Sequence, residues 1–324
     1  MNLLKTFTKI VAALLIVVAI AGIYVRTALP DTGPAPDLKI ERTDVRIERG
    51  KYLANHVTVC MDCHSARDYS VYTAPMTSAN LGGGGEEFNQ QMGFPGKFFA
   101  RNITPYGIGS WTDGELFRAI TTGVNKQGKA LFPLMAYHRF GQLDEEDIYS
   151  IIAYIRELAP VKKDIPEREI DFPVNFIINT MPKEAAFTKK PSEFDQLAYG
   201  KYLITATGCV DCHSKTDKGS VIAGTEFGGG MEFKGPNGTV RSPNITMHKV
   251  SGIGNWTTET FVKRFKMYTD SSYKPQKLNP GDLNTPMPWT MYAGMKEEDL
   301  EAIFAYLGKV KVIDNQVVRF DKMK

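Results

Sequence analysis

The feature that most constrains this chain is a motif, C-x-x-C-H, that occurs twice and contains all four of its cysteines. The motif reads "CMDCHS" at residues 60–65 and "CVDCHS" at residues 209–214 of the 324-residue sequence. An even number of cysteines is also compatible with disulfide bonds. Disulfides do not require a histidine directly after each pair, however, and chance would rarely produce that arrangement twice. The motif therefore predicts two equivalent sites, each with two sulfur atoms and an imidazole.

Sequence similarity between the two sites extends well beyond the cysteines. "RGKYLANHVTVCMDCHS" in the first copy corresponds to "YGKYLITATGCVDCHS" in the second, which has one residue fewer. The matching segments occur in the same order: 49–65 with 199–214, 101–111 with 243–256, and 135–155 with 287–307. Such self-similarity predicts two related domains, at residues 45–160 and 195–312.

Helical periodicity predominates in both copies. Apolar residues recur at positions i, i+3, i+4 and i+7 near the end of each copy: Ile148, Ile151, Ile152 and Ile155, then Leu300, Ile303, Phe304 and Leu307. The segment "WTDGELFRAITTG" predicts a further helix that ends at Gly123, and Asp144 is a candidate N-cap. We therefore expect an all-α fold of two tandem domains that come after one N-terminal transmembrane helix.

The remaining segments are expected to be connections. Residues 31–44 precede the first domain, residues 161–194 form a proline-rich linker, and residues 313–324 form a C-terminal tail. The linker contains the apolar run "FPVNFIIN", which a flexible tether would not need. It is therefore expected to pack across both domains and to fix their separation.

The first 30 residues have the composition of a membrane segment. Residues 10–25 carry no charge, Lys5 and Lys9 precede them, and Arg26 comes directly after them. A spanning helix needs about 20 residues, and flanking lysines and arginines can reach the membrane surface. The alternative is a cleaved signal sequence, because "AIA" at residues 19–21 resembles a cleavage site. We favour an uncleaved single-pass anchor in the cytoplasmic membrane of a bacterium, with both domains in the periplasm.

In an exported protein, C-x-x-C-H is typical of covalent haem attachment. Cys60 and Cys63 lie on one face of a helical turn, where each can form a thioether with a haem vinyl group, and His64 can bind the iron. The second copy repeats this arrangement with Cys209, Cys212 and His213. Two haem c groups are therefore expected. Zinc is a competing cofactor, but zinc sites do not require a histidine directly after each cysteine pair, and a thioredoxin-like motif needs a βαβ setting that is absent here.

The sixth iron ligand decides whether such a site transfers electrons or reacts with oxygen or peroxide. Met135 and Met287 occupy equivalent positions in the two copies, each in a loop before the last helix, and are the predicted axial ligands. Met291 and Met295 are the alternatives in the second domain, and Met92 is the alternative in the first.

Two further pairs of residues recur near the motifs and are candidate haem contacts. Asn102 and Asn244 can each cap a turn or donate a hydrogen bond to a haem propionate. The indole N–H groups of Trp111 and Trp256 can also donate to a propionate, or both rings can be core aromatics. The sequence leaves both roles open for each pair.

These segments resemble the class I c-type cytochromes, and among them the membrane-bound multihaem cytochrome subunits of bacterial alcohol, gluconate and aldehyde dehydrogenases. The resemblance covers residues 45–310 and depends on the C-x-x-C-H, N-I-T and G-I-G-x-W motifs and on the methionine loop before the last helix. It implies two small helical domains in which the first and last helices cross. Gly50 would then lie near Tyr154, and Gly200 near Tyr306.

The resemblance also implies the axial pairs His64 with Met135 and His213 with Met287. The chain departs from that group in carrying two haem motifs rather than three, and in having its anchor at the N-terminus rather than the C-terminus. In addition, Ala136 comes after the first methionine, where the pattern more often has a proline, as Pro288 does in the second copy.

Two hypotheses for function come from different classes. The first is an electron-transfer protein, not an enzyme, that passes single electrons from a dehydrogenase or quinol-oxidising complex to an oxidase, a small soluble cytochrome or a cupredoxin. Nothing in the chain resembles a nucleotide fingerprint, a flavin site or a catalytic triad. The second is a dihaem enzyme, such as a peroxidase or a thiosulfate dehydrogenase, which the matched methionines and the lack of a spare cysteine disfavour. A formal charge of +3 gives no support for nucleic-acid binding.

Overall fold

The structure, a computed structural model, describes residues 2–235 and 237–322. Within these ranges the chain forms thirteen α-helices: α1 Asn2–Thr27, α2 Asp44–Tyr52, α3 Cys60–Cys63, α4 Pro105–Ile108, α5 Asp113–Thr122, α6 Tyr137–Phe140, α7 Glu145–Arg156, α8 Val174–Ile177, α9 Gln196–Thr207, α10 Cys209–Cys212, α11 Thr258–Lys266, α12 Trp289–Tyr292 and α13 Glu297–Leu307. The same ranges contain eight short strands: β1 Glu87–Phe88, β2 Gly96–Phe99, β3 Glu169–Ile170, β4 Thr216–Asp217, β5 Ser220–Val221, β6 Glu232–Gly235, β7 Gly238–Arg241 and β8 Phe320–Lys322. We call residues 44–170 the first half and residues 196–322 the second half.

The core of each half forms where its first long helix crosses its last one. α2 packs against α7, and α9 packs against α13. A Cβ atom on Gly50 would lie 1.8 Å from a backbone oxygen of α7, and one on Gly200 would lie 2.0 Å from a backbone oxygen of α13. The same atoms would lie 2.9 Å from Cβ of Tyr154 and 3.1 Å from Cβ of Tyr306. The predicted contacts of both glycines are confirmed, and no larger residue fits at either crossing.

The helix ends agree with the signals in the sequence. α5 begins with a capping box, in which the Thr112 hydroxyl accepts from the Glu115 N–H and the Glu115 carboxylate accepts from the Thr112 N–H. It ends at Gly123, which has a left-handed φ of 79°. The Asp144 carboxylate caps α7 by accepting from the Glu146 N–H at 3.0 Å. Both predictions for these helix ends are confirmed.

The two halves pack directly on each other through a reciprocal pair of hydrogen bonds. The Tyr52 hydroxyl on α2 donates to the Asp299 carboxylate on α13 at 2.5 Å. The equivalent Tyr202 hydroxyl on α9 donates to the Asp147 carboxylate on α7 at 2.7 Å. Each tyrosine therefore bonds to the last helix of the other half, a reciprocity that two-fold related copies would have. Both aspartates are buried, and each accepts from a tyrosine hydroxyl of the other half, which helps to satisfy its charge.

Short antiparallel strands depart from the expected all-α fold. In the first half β2 pairs with β1 and β3, and in the second half β7 pairs with β6 and β8, while β4 pairs with β5. Most of these strands lie in the long loops after the C-x-x-C-H motifs. Backbone groups in packed loops need hydrogen-bond partners, which neighbouring strands supply. Strands of two to four residues are too short to show a period of two in the sequence, and the all-α prediction is wrong in this respect.

The linker and the tail also differ from the expectation. The linker packs along the first half, since β3 joins the sheet of β2, and its apolar run at residues 172–179 contains α8, which contacts α1. The prediction that it packs across both halves is not supported, because direct contacts hold the halves together. The C-terminal tail is part of the second half, where β8 pairs with β7.

Among the described residues, Leu3–Thr27 is the one segment long and apolar enough to cross a membrane. Its most apolar window has a mean hydropathy of 2.4, and no part of that window is buried against the rest of the chain. Contacts with α8 and the turn after it lie near its C-terminal end, where the Asn179 amide donates to the Val25 carbonyl oxygen at 3.3 Å. Length and composition suit either a membrane anchor or a signal sequence.

Candidate functional site

Each C-x-x-C-H motif forms one helical turn directly after a residue with a positive φ. α3 begins after Val59, with a φ of 47°, and α10 begins after Gly208, with a φ of 72°. This left-handed residue ends the preceding helical segment and begins the new turn, so that the two cysteines of each motif lie on one side of a short helix. The two halves therefore present their cysteine pairs in the same way.

The first copy has one extra residue before its motif, and a π-helical turn accommodates it. Leu53–Val57 forms a π-helical turn, in which the Thr58 N–H donates to the Leu53 carbonyl oxygen five residues earlier at 2.8 Å. A π turn accommodates one inserted residue without changing the conformation of the residues after it. As a result, the Thr58 hydroxyl lies 3.2 Å from the Cys60 sulfur, as the Thr207 hydroxyl lies 3.1 Å from the first sulfur of the second motif.

All four cysteine thiols are free. Desolvation raises the pKa of each one, to about 12 for Cys63 and to about 11 for Cys212. Zinc needs deprotonated thiolates, and within the described ranges no group of three or more histidine, cysteine, aspartate or glutamate side chains is arranged to hold a metal ion. The disulfide and zinc alternatives therefore find no support in this geometry.

The histidine of each motif is oriented by a backbone carbonyl. His64 Nδ1 lies 2.7 Å from the Arg101 carbonyl oxygen, and His213 Nδ1 lies 2.8 Å from that of Pro243. A carbonyl oxygen can only accept, so Nδ1 carries a proton. Desolvation lowers the pKa of both imidazoles, which makes them neutral and leaves the Nε2 lone pair free to bind iron. Sequence reasoning missed these two carbonyl groups, although each belongs to the residue directly before N-I-T.

The asparagines of the two N-I-T segments hold these carbonyl groups in place. Asn102 Oδ1 accepts from the N–H and the hydroxyl of Thr104, and Asn244 Oδ1 accepts from those of Thr246. Both amide hydrogens of Asn102 are donated to backbone carbonyls, at 2.8 and 3.1 Å, and the Asn244 amide donates to the Ile313 carbonyl oxygen at 2.7 Å. Of the two roles open from the sequence, the structure supports turn capping and leaves Asn102 no hydrogen for a propionate.

A glycine of each glycine-rich loop closes against its motif. The Gly84 N–H donates to the His64 carbonyl oxygen at 2.9 Å, and the Gly229 N–H donates to that of His213 at 2.8 Å. Their φ angles are 67° and 73°, and a Cβ atom would lie 2.6 Å or 2.4 Å from backbone atoms of the N-I-T side. Only glycine allows this close approach, and with it backbone groups from both loops contact each histidine.

The predicted methionine ligands lie in equivalent turns. Met135 and Met287 are partly buried against the core, and each carbonyl oxygen accepts from the N–H two residues later, at 2.7 and 2.8 Å. Ala136 has φ −74° and ψ 44°, and Pro288 has φ −79° and ψ 62°. Alanine thus adopts the conformation of the proline that the pattern more often has, and the departure noted in the sequence leaves the turn unchanged.

The other candidates have different surroundings. Met295 and Met291 are core residues, 1% and 4% exposed, whereas Met92 is 40% exposed on a surface turn. The rings of Trp111 and Trp256 are partly buried against the core, as core aromatics would be. These observations favour Met135 and Met287 over the alternative methionines.

The charges around the two motifs differ. In the first motif Asp62 pairs with Arg67 at 3.1 Å, and desolvation raises the pKa of this carboxyl. In the second motif Asp211 pairs with Arg139, a residue of the first half, at 2.7 Å. Desolvation opposes ionisation there too, but hydrogen bonding to His138 and the charge of Arg139 lower the pKa of Asp211. One half therefore supplies the counter-charge at the motif of the other.

The residues present fit a haem at each motif. Each half combines two free thiols on one turn, a neutral imidazole with a free Nε2 and a partly buried thioether. In addition, the hydroxyls of Thr73, Tyr137 and Tyr273 are buried without a hydrogen-bond partner among the described residues. Buried polar atoms normally have partners, so orphaned hydroxyls are consistent with a group that this protein binds.

Comparison with known proteins agrees with this chemistry. The cytochrome c family model matches residues 197–311. The cytochrome c subunit of the quinone alcohol dehydrogenase of Gluconacetobacter polyoxogenes is 26% identical over 282 residues, which cover 81% of this chain and 55% of that protein. The fructose dehydrogenase cytochrome subunit of Gluconobacter japonicus is 28% identical over 78% of this chain and 50% of that protein. The chain thus spans about half the length of these relatives. A diheme c-type cytochrome of Cereibacter sphaeroides is 26% identical over 79% of this chain and 83% of that protein.

Proposed function

We propose that this chain is a dihaem c-type cytochrome with two tandem domains, because residues 197–311 match the family model of cytochrome c, whose members bind haem c covalently. α1 anchors it in the cytoplasmic membrane, and both haem sites lie on the periplasmic side. The chain transfers single electrons and catalyses no substrate reaction itself. Relatives named as cytochrome subunits of alcohol, fructose and gluconate dehydrogenases support this role.

The observation that carries the proposal is the repetition of the second half's site in the first half. Both halves have a cysteine pair on one turn, a histidine held by the carbonyl before N-I-T, and a methionine before a short helix. The family match covers the second half. A haem in the first half is therefore inferred from this repetition and from the similarity to a protein named as a diheme cytochrome.

The residues of each half have distinct roles in this proposal. The cysteine thiols would form thioethers with the haem, and its iron would be held by Nε2 of the motif histidine and Sδ of the methionine: His64 with Met135, and His213 with Met287. When bound, a haem supplies an iron centre that exchanges one electron. Methionine ligation raises the reduction potential and fills the position at which oxygen or peroxide would react. Trp111 and Trp256 are proposed to line the haem pockets.

The proposed electron donor is a dehydrogenase or a quinol-oxidising complex. The acceptor is an oxidase, a small cytochrome or a cupredoxin. The names of the relatives favour a dehydrogenase as the donor. A dihaem peroxidase or a thiosulfate dehydrogenase is not favoured, because both halves offer a methionine and all four cysteines belong to the two motifs.

Haem stoichiometry tests the proposal. Full-length protein in detergent should keep two haems per polypeptide after denaturation, and the double variants Cys60→Ala/Cys63→Ala and Cys209→Ala/Cys212→Ala should each keep one. Both wild-type irons should be six-coordinate, low-spin and inert to carbon monoxide. One haem in the wild type would restrict the function to a single site. A high-spin haem with rapid peroxide turnover would favour the peroxidase instead.

The anchor has a separate test. Replacing residues 1–29 by a cleavable export signal should release a soluble, haem-loaded protein into the periplasm. Native protein that is already soluble and trimmed near Ala21 would identify α1 as a signal sequence.

A further inference from the structure

The loop that leads to Met287 is attached to the other half of the molecule. This loop, residues 267–286, joins α11 to the methionine turn. Its Gln276 carbonyl oxygen accepts from the Tyr72 N–H at 2.8 Å, and the Leu278 N–H donates to the Ser70 carbonyl oxygen at 2.8 Å. Both partners belong to the loop directly after the first C-x-x-C-H motif. Backbone hydrogen bonds therefore join residues 267–286 of the second half to the first half.

Asn284 is the polar side chain at the centre of this attachment. Its Oδ1 accepts from the Thr73 N–H of the first half at 2.9 Å and from the Thr285 N–H of its own loop at 2.9 Å. The Thr285 hydroxyl in turn accepts from the Met287 N–H at 3.2 Å. One amide oxygen thus joins the backbone of the first half to the segment that orients the methionine.

The loop of the first half that contains Thr73 and Ala74 is itself bonded to the first motif through Arg67. The Arg67 guanidinium pairs with Asp62 of that motif at 3.1 Å and donates to the carbonyl oxygens of Ala74 and Thr73, at 2.9 and 3.3 Å. Thr73 and Ala74 have φ values of 73° and 44°, a conformation that non-glycine residues adopt only when their surroundings impose it. Arg67, which bonds to both carbonyl oxygens, and Asn284, which bonds to the Thr73 N–H, supply that constraint.

The equivalent loop of the first half, residues 123–134, makes no hydrogen bond to the second half in the part of the chain that the structure describes. It is closed locally: the Lys129 N–H donates to Asn125 Oδ1 at 2.8 Å, and the Leu131 N–H donates to the Gly123 carbonyl oxygen at 2.7 Å. The loop before Met135 is therefore supported within its own half, whereas the loop before Met287 is also held by contacts that cross the interface.

We propose that Asn284 and Arg67 are positioning residues for Met287, and that the methionine ligation of the second haem depends on the first half. Neither side chain ligates the iron in this proposal, since each acts through the Thr73–Ala74 segment. The inference rests on the proposed role of Met287 as an axial ligand. It goes beyond that role because it assigns control of the second site to contacts between the two halves.

The test compares Asn284→Ala with Asn279→Ala in the full-length, haem-loaded protein. Asn279 lies in the same loop, but within the described residues its side chain bonds locally, to Asp282. Asn284→Ala should raise the fraction of second-site haem that binds carbon monoxide roughly tenfold, within the range of about 2- to 30-fold that residues on such coupling networks produce. Asn279→Ala should match the wild type. Asn284→Asp keeps an acceptor oxygen and should restore carbon monoxide resistance, which a general folding defect would not allow.

Arg67→Met gives the sharper result, because this residue lies in the first half. It should also increase carbon monoxide binding at the second site, with Met287→Ala defining the fully open state. The double variant Arg67→Met/Asn284→Ala should show less than the product of the single effects, since both act on one segment. If the wild type resists carbon monoxide and Asn284→Ala behaves like Asn279→Ala, the positioning role is wrong while Met287 remains the ligand. If the wild-type second site already binds carbon monoxide, both the ligation and the positioning role are wrong.

Discussion

The two methionine loops have equivalent ends and different supports. The first, residues 123–134, is closed by its own backbone and by Asn125. The second, residues 267–286, is longer, and the first half holds it through Thr73 and Asn284. The turns that they reach nonetheless have similar backbone angles, at Ala136 and at Pro288. A repeated motif can therefore keep the backbone conformation of its methionine turn while the contacts that support the preceding loop move to the other half.

A second difference concerns charge. The first motif faces Glu86, which lies directly after the glycine-rich loop, whereas the equivalent position after the loop of the second half is Met231. Each motif aspartate pairs with an arginine, Asp62 with Arg67 and Asp211 with Arg139, so the difference between the sites is the additional carboxyl group of Glu86. We expect the two sites to differ in potential, since a nearby carboxylate favours ferric iron. Matched substitutions in the two halves test how far they are equivalent.

The helix crossings of the two halves should be equally destabilised when their glycine is replaced by a larger residue. Gly50→Ala and Gly200→Ala should each lower the free energy of unfolding by roughly 3 kcal/mol or more, at the upper end of overpacking costs, because backbone rather than a side chain must move. Gly235→Ala is the control, since the nearest atom to its added Cβ lies at 3.9 Å. Denaturant unfolding and haem content measure the effect. A stable, haem-loaded Gly50→Ala protein would show that the first crossing is looser than the second.

The methionines should be separable ligands. Met135→Ala and Met287→Ala should each open one iron to carbon monoxide and lower the potential of that haem by on the order of 0.1 V, within the roughly 0.8 V that axial ligands span. The thioether favours ferrous iron, and water in its place does not. Redox titration measures the potential of each haem, and carbon monoxide binding measures whether each iron is open. Met135→Ala should leave the second haem unchanged; a shift of both potentials would show that the first ligand loop is coupled across the interface as well.

Tyr52 and Tyr202 should contribute different amounts to the free energy of unfolding. Arg49 also pairs with Asp147, through Nε at 2.9 Å, whereas the residue equivalent to Arg49 in the second half is the uncharged Tyr199. Tyr52→Phe should therefore cost about 2 kcal/mol of unfolding free energy, because buried Asp299 is left with the uncharged hydroxyl of Tyr199. Tyr202→Phe should cost about 1 kcal/mol, because Arg49 still pairs with Asp147. Thermal unfolding of the two variants in parallel gives the difference. Equal losses would mean that the Arg49–Asp147 pair does not lessen the cost of losing the Tyr202 hydrogen bond.

The last prediction is a pH dependence confined to the first half. Desolvation, with the charge of Asp62, raises the pKa of Glu86 from 4.5 to about 7, although Arg67 and Lys163 oppose it. The folded chain holds this proton between about 4.5 and about 7, where the unfolded chain has lost it, so the free energy of unfolding falls as the pH rises through that window.

Ionisation of Glu86 also favours ferric iron, so the first potential should decrease from pH 6 to pH 8 by less than about 59 mV per unit, the limit for one proton per electron. Glu86→Gln should remove both pH dependences and leave the second potential unchanged. A slope that persists in this variant would assign the proton to another group.

Much of the candidate site could be predicted from the sequence. The cysteines and histidines are recognisable by spacing, and the methionines by their matched positions, because these signals lie within a few residues or are repeated. The carbonyl groups of Arg101 and Pro243 escaped prediction, since a backbone atom carries no side-chain signal. The asparagines were found, but their role as turn caps required the positions of their amide hydrogens.

The amino-acid sequence by itself determines the local features of this protein. They are two helical repeats, two cysteine pairs each with a histidine directly after it, glycines at the helix crossings and an apolar N-terminal helix. Each of these depends on spacing along the chain, which a sequence displays directly. The support of each site by one half or the other is visible only in the folded chain, through the Tyr52 and Tyr202 hydrogen bonds, the Arg139–Asp211 pair and the contact of Asn284 with Thr73. These partners lie far apart in sequence and obey no period, so only the folding of one repeat against the other brings them together.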